Sequence, residues 1–523
     1  MVNEIVELAD SVDDRCNSTS ENKENYRSEY KTLNRGISRA TDNVNIVSRV
    51  RSELALVDNT DEEYLSIDTP VYTFTLPDFT QFPDDFREFL EKDLISISTQ
   101  SSLEQANRLN WWTSFAQRLW PLSTSGDGNC LLHAASLGVW GFHDRLLTLR
   151  KNLHTFLSQS TYREALWRRW KRQQSILNAQ AGLVYSEVEW RREWNAIVSM
   201  ASTTPRLRRQ SIVSAGKGDL YGNIYESLEE IHVLALAHLL KRPIIVVADT
   251  MLKDMNGEPL APIPFGGVYL PVECTPSECQ RSPLLLAYDG GHFSALVAMD
   301  SSNNPNNPNT PAIPLVDSSN ELLCIQFHTD PGDNEEEDFT ELSFNDSISL
   351  LNEYLDVVRL DPQGNNSENN KNGLLGSLGR SVGNKLRLKL TRSNSVRNNT
   401  TNKSGHILCA LLHTDRRHEY HDVMIKNYLQ NAMERFQQTN AGAPRYGAGK
   451  SQFYTEADAE SHEKVSQLTP VKPATNNDPT LYLSKSTFYK TGVQCRAENC
   501  TFFGNDQYDN YCSQCYQSKK KTI

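Results

Sequence analysis

The stretch Gly126-Asp127-Gly128-Asn129-Cys130-Leu131-Leu132-His133-Ala134-Ala135 sets a cysteine between a glycine-flanked turn and a continuous apolar run. This composition predicts a loop up to Asn129 and a helix that opens at Cys130. Backbone N–H groups at a helix start lack internal partners and carry the positive end of the dipole, so a sulfur placed there is favoured as the thiolate. Donors in the loop Asp127, Gly128 and Asn129 can also receive a developing oxyanion. Gly126 and Gly128 let that loop adopt conformations closed to other residues. A nucleophilic cysteine needs a histidine remote in sequence and near in space. Gly290-Gly291-His292-Phe293-Ser294 offers one, so Cys130 and His292 form the candidate catalytic pair. His133, His143, His232 and His238 lie on helical spacing and read as packing or surface residues.

Working outward, helical apolar spacing covers residues 86–94, and all eight tryptophans fall between Trp111 and Trp194, on or beside helical patterns. Ser227-Leu228-Glu229-Glu230 reads as a capping box ahead of an apolar helix, which Lys241-Arg242-Pro243 ends before a strand at 244–248. Strand-like runs at 283–288 and 292–299 are joined by Asp289-Gly290-Gly291, a hairpin turn that places His292 at a strand start. A strand at 322–328 and a helix at 342–357 complete the pattern. Together these predict an α/β (α+β) catalytic domain over 63–361, with a small sheet flanked by helices. The polar residues 1–62 read as a mostly disordered tail. Residues 362–404 read as a basic flexible linker, with eight Lys or Arg and no acid between Lys371 and Lys403. A short helical segment at 405–440 and a second flexible linker at 441–490 follow.

A net charge of -12 over 523 residues argues against specific nucleic-acid binding, which concentrates Lys and Arg on a folded surface. No apolar run is long enough to span a bilayer and the first residues lack a signal-peptide pattern, so a soluble, intracellular protein is expected. Four of the ten cysteines crowd the C-terminus as Cys495-x4-Cys500-x11-Cys512-x2-Cys515. Two short-range pairs of thiolates suit tetrahedral Zn²⁺, and a segment as short as 491–518 needs the metal to fold.

These motifs, with Trp140-Gly141, Gly266-Gly267-Val268-Tyr269-Leu270-Pro271 and His292-Phe293-Ser294-Ala295-Leu296, give residues 66–361 a resemblance to the ovarian-tumour-domain cysteine proteases, a deubiquitinase family, and within it to the Cezanne-like, A-twenty subgroup. The resemblance implies a papain-like fold and hydrolysis of isopeptide bonds in ubiquitin and polyubiquitin chains, with Cys130 as nucleophile and His292 as base and acid. It further implies a preference for lysine-eleven-linked chains, ubiquitinated signalling proteins as substrates, negative regulation of their signalling, and a cytoplasmic, also nuclear, location. The acid that orients the histidine in this subgroup is matched by Ser96; Asp93, one helical turn away, reads as an exposed surface acid or, if the local geometry shifts, as a substitute. A weakened or inactive ubiquitin-binding scaffold is therefore the alternative reading. The C-terminal segment resembles an A-twenty-type zinc finger, a module that commonly binds ubiquitin, for which Phe502, Phe503 and Tyr511 are the candidate contacts. Cezanne-like proteins tend to carry an N-terminal ubiquitin-associated helical domain, whose three-helix pattern the first sixty residues do not show.

Overall fold

The computed structural model describes residues 36–54, 67–206, 223–253, 258–300, 310–332, 342–362, 406–441, 495–497, 511 and 515. At its centre is a mixed sheet of β1 (Thr75–Leu76), β2 (Leu119–Leu122), β3 (Ile244–Ala248), β6 (Gly267–Tyr269), β7 (Leu284–Asp289) and β8 (His292–Met299). The order is β1-β8-β7-β3-β6, with β2 pairing antiparallel to β8. A peripheral hairpin joins β4 (Met251–Lys253) to β5 (Pro259–Pro262).

Period-two alternation explains how this sheet is buried on both faces. Ile244, Val246, Leu284, Leu286, Ala295 and Val297 point into one core, while Ile245, Val247, Leu285, Ala287, Leu296 and Ala298 point into another. Each large aliphatic side chain so buried contributes about 1.5–3 kcal/mol, which fixes the register, because a one-residue slip would exchange the faces. The first core is covered by α1 (Val44–Glu53), α2 (Asp84–Leu94), α4 (Cys130–Trp140), α5 (Thr148–Gln159), α6 (Arg163–Gln180), α7 (Glu187–Met200), α8 (Glu230–Leu239) and α10 (His421–Ala441). The second is covered by α3 (Ile97–Gln105), α9 (Phe344–Tyr354) and an antiparallel sheet of β9 (Ala312–Pro314), β11 (Ile407–Leu411) and β10 (Val357–Leu360). The α+β class with a small sheet flanked by helices is as expected. Six of the tryptophans are buried, and Trp167, Trp170, Trp190 and Trp194 form one aromatic cluster between α6 and α7.

Both proposed borders of the catalytic domain need correction. Residues 405–440 are not a separate segment: β11 is the central strand of the second sheet, and Met424, Ile425, Tyr428 and Ala432 of α10 lie in the first core. At the other end, Ile37, Ala40, Val47, Val50 and Leu54 are buried in that same core, so residues 36–54 belong to the folded body and not to a disordered tail. The buried Asn43 amide donates to Ile37 O at 2.8 Å and Met424 O at 3.0 Å, tying the two borders to each other. The linker segments 362–404 and 441–490 lie almost wholly outside the described residues.

Smaller differences have local causes. Residues 322–328 make only isolated bridges, Val268 with Ile325 and Val316 with Leu322, and β6, which they meet at its middle residue, is only three residues long. The run 342–357 divides into α9 and the start of β10. Helix α8 begins at Glu230 with Glu229, not Ser227, at the N-cap; the Glu229 N–H is met at 3.0 Å by Nδ1 of His232, which serves where a glutamate of a capping box would.

Candidate active site

Cys130 is the first residue of α4, every residue of which is buried. A helix apolar on all sides belongs in the middle of the molecule, and here it lies against β7 and β8. His292 starts β8 because Gly290 and Gly291, both at positive φ (56° and 81°), turn the chain so that Asp289 pairs with His292. Positive φ at both central positions is the type I′ pattern that matches strand twist. The backbone of Phe293, the neighbour of His292, acts to lower the Cys130 thiol, so the start of the hairpin's second strand lies near the start of α4.

The cysteine loop is held by its own side chains. The Asp127 carboxylate accepts from Asn129 N at 2.9 Å and from His133 Nε2 at 3.1 Å, and the Asp127 carbonyl accepts from Tyr225 N at 2.8 Å. Burial acts to raise the Asp127 carboxyl, but the His133 and Asn129 bonds outweigh it and leave it below its ordinary value. Gly128 sits at φ 84°, and a Cβ there would lie 2.1 Å from the Tyr225 carbonyl oxygen, so only glycine fits. Gly126 has no such constraint: nothing lies within 4 Å of where its Cβ would be, and its conformation is open to other residues. The Asn129 side chain faces inward, donating to Asp144 O at 3.1 Å. The Asn129 N–H is taken by Asp127, and the backbone groups that act to lower the Cys130 thiol are those of Phe293, Leu131 and Cys130.

Two expectations about the histidine's surroundings change. Asp93 is no exposed acid: it is buried, accepts from Tyr428 Oη at 2.8 Å and binds Arg435 through both oxygens at 3.0 and 2.9 Å, anchoring α10 to α2. Ser96 gives its hydroxyl to Thr99 Oγ1 at 2.9 Å. The group at the imidazole is Thr124, whose Oγ1 lies 2.5 Å from His292 Nε2 and 2.5 Å from the Phe293 carbonyl oxygen. Sequence reading missed it, since a threonine in Ser123-Thr124-Ser125 carries no signal beyond its closeness to the cysteine loop.

Electrostatics overturn the ready thiolate. Burial pushes the Cys130 thiol above its ordinary value despite the three backbone donors, and the Asp127 charge adds to the rise. Burial likewise lowers His292. Both shifts favour the neutral thiol beside the neutral imidazole in the free protein. The competing histidines are all buried, as packing residues are.

A cysteine at the start of a buried central helix, packed against the strand that a histidine opens, is the arrangement of a papain-like fold. Residues 125–293, which span both side chains, match the model of the OTU-like cysteine proteases, and residues 493–522 match that of the A20-like zinc finger. The chain thus holds one segment similar to the OTU-like cysteine proteases and one similar to the A20-like zinc finger. It is 36% identical over 299 residues to tumor necrosis factor alpha-induced protein 3 of Homo sapiens and of Macaca fascicularis, and 37% identical over 300 residues to that of Mus musculus. The matched part is 56% of this chain, and it spans 34% of the human and macaque relatives and 35% of the mouse one.

Of the finger's candidate ligands, Cys495 is buried and Cys515 half-buried. Cys500 and Cys512, with the candidate contacts Phe502 and Phe503, lie outside the described residues, while Tyr511 is half-buried. A four-thiol donor set fits zinc by its softness and number. Among the described residues no helix is long and apolar enough to cross a membrane.

Proposed function

We propose that the chain is a thiol-dependent deubiquitinase that cleaves isopeptide bonds in polyubiquitin and so restrains ubiquitin-dependent signalling in the cytoplasm and nucleus. The observation that carries the reading is Cys130 at the start of α4, packed against the strand that His292 opens, both within the residues that match the OTU-like model. The Thr124 hydroxyl has one proton and gives it to the Phe293 carbonyl, so it accepts from His292 Nε2–H. That leaves Nδ1 as the lone pair that takes the Cys130 proton. The thiolate then attacks the isopeptide carbonyl, N–H groups at the start of α4 stabilise the oxyanion, and the imidazolium protonates the departing lysine amine. Water releases the thioester by the same proton path.

Cys495, Cys500, Cys512 and Cys515 would hold one structural Zn²⁺, and Phe502, Phe503 and Tyr511 would offer the finger's ubiquitin-facing aromatics; catalysis itself uses only the thiol and imidazole. Tethered beyond the catalytic body, the finger would raise the local concentration of polyubiquitin. The decisive test is a ubiquitin probe with a C-terminal electrophile. Covalent labelling lost in Cys130→Ala supports the hydrolase; ubiquitin binding with neither adduct nor chain cleavage identifies a scaffold. Preference for lysine-eleven-linked chains rests on the resemblance of the motifs, and a panel of di-ubiquitins tests it, equal rates on every linkage overturning it.

A further inference from the structure

Arg150, in the first turn of α5, is completely buried beneath the cysteine loop. Its guanidinium has five N–H donors, and all five are used. Nε donates to Ser202 O at 2.8 Å; Nη1 to Gly128 O at 3.1 Å and Asn129 Oδ1 at 3.2 Å; Nη2 to Met200 O at 2.5 Å and Glu226 O at 2.7 Å. Every acceptor is a neutral carbonyl, and none of the five is a carboxylate. The face of Tyr225 completes the enclosure, 5.2 Å from the guanidinium carbon. Burying a cation without a directly bonded anion is costly, and hydrocarbon packing would hold a loop more cheaply. Desolvation does pull the group down, to about 10, which leaves it charged at neutral pH. The negative groups whose fields reach it are Asp127, Tyr225 and Asp144 when ionised, and the Cys130 thiolate.

We infer that Arg150 is a positioning residue for the nucleophile, clamping Gly128 and Asn129 of the cysteine loop to the end of α7 and the approach to α8, and setting a permanent positive charge under the two residues that precede Cys130. This rests on the reading of Cys130 as nucleophile. Asp144 holds the arginine in turn, its carboxylate accepting from Arg150 N at 3.2 Å and from Asn129 Nδ2 at 3.4 Å. The other titratable groups around the sulfur are His292 and Tyr288 from the hairpin, with Asp127 and its partner His133 from the loop and α4.

The test alkylates the full chain with iodoacetamide across a pH series, quantifying the Cys130 peptide by mass spectrometry, for the parent, Arg150→Met and Arg150→Lys. Melting temperature and steady-state cleavage of di-ubiquitin are measured alongside. In R150M the pH of half-maximal Cys130 alkylation moves upward by about one unit, so the rate at neutral pH falls about tenfold. R150K keeps the charge but cannot reach five acceptors; its alkylation midpoint stays near the parent's while kcat falls at least about tenfold with KM unchanged. A folded R150M whose midpoint does not move overturns the proposal, because an anchor acting only on stability would lower the melting temperature alone. If R150M does not fold, R150K decides, and an unchanged kcat overturns the clamp. Alkylation needs no ubiquitin, so this inference and the deubiquitinase reading fail separately.

Discussion

Thr124 Oγ1 is held 2.5 Å from His292 Nε2 by a second bond of 2.5 Å to the Phe293 carbonyl, so a neutral hydroxyl stands where a carboxylate would orient the imidazole. A hydroxyl that accepts from Nε2–H fixes ring and tautomer but adds no charge to stabilise an imidazolium. Thr124→Val should therefore lower kcat about 10- to 100-fold, from a hydrogen bond worth about 1.5–3 kcal/mol once the ring is charged. KM should hold and the electrophilic probe should still label Cys130. A kcat equal to the parent's would remove Thr124 from the site.

The opposed shifts of Cys130 and His292 predict how the free protein titrates. With the thiol raised and the imidazole lowered, the neutral pair predominates near pH 7. Alkylation of Cys130 should be slow there and climb to a plateau only above the ordinary thiol range. A plateau already reached below pH 7 would show a preformed ion pair instead.

Gly128 allows a sharp test of the loop. In Gly128→Ala the new methyl meets the Tyr225 carbonyl at 2.1 Å from a left-handed backbone position, so the loop must rearrange. The expected result is a stability loss of about 1–3 kcal/mol and at least about 100-fold lower probe labelling. Gly126→Ala, with open space around it, should label like the parent.

The Asp93–Arg435 pair marks the true extent of the catalytic body. Asp93→Ala leaves a half-buried guanidinium and the buried Tyr428 hydroxyl without their acceptor, which should cost about 3–5 kcal/mol, seen in denaturant unfolding, with little change in kcat where the protein stays folded. A protein ending at residue 361 should fail to fold stably, since it lacks β11 and α10, whereas one ending at 441 should keep probe labelling. Full labelling by the shorter protein would contradict the fold.

Acid should destabilise the domain through two histidines. His232 accepts from Glu229 N at Nδ1 and donates to Ile197 O from Nε2; His238 donates to Leu234 O from Nδ1 and accepts from Glu273 N at Nε2. Both rings are thus fixed neutral, and burial takes each down to about 4. Between about pH 6.5 and pH 4 the unfolded chain binds protons that the native state refuses, so stability falls as pH drops through that window, by at most about 3 kcal/mol per ring. His238→Gln should flatten the fall measured by urea unfolding at successive pH values; an unchanged slope would refute the assignment.

The sequence made the site legible where one local rule dominates. Glycine at Gly290 and Gly291 dictates the turn that delivers His292, and the apolar run after Cys130 dictates a central helix. It was opaque where partners are distant along the chain. Asp93 reads as a surface acid until α10 brings Arg435 and Tyr428 to it, and residues 405–440 read as a separate island because the acceptors of β11 lie on β9 and β10. Thr124 and Arg150 act through single contacts or through carbonyls, which leave no pattern in residue type. The thiol's protonation was misjudged because helix-end donors are visible in sequence, whereas the desolvation that outweighs them depends on packing.

The placement of β11 between β9 and β10 also sets a timetable. On a ribosome adding roughly 5–20 residues each second, the interval from Leu360 to Ile407 takes on the order of 2–10 s, and for that time the nascent chain already holds Cys130 and His292 but lacks both the middle strand of one layer and the helix that covers the other. During those seconds the emerging polypeptide exposes two uncovered apolar faces to whatever chaperones attend it, and the folded body is complete only with the last helix.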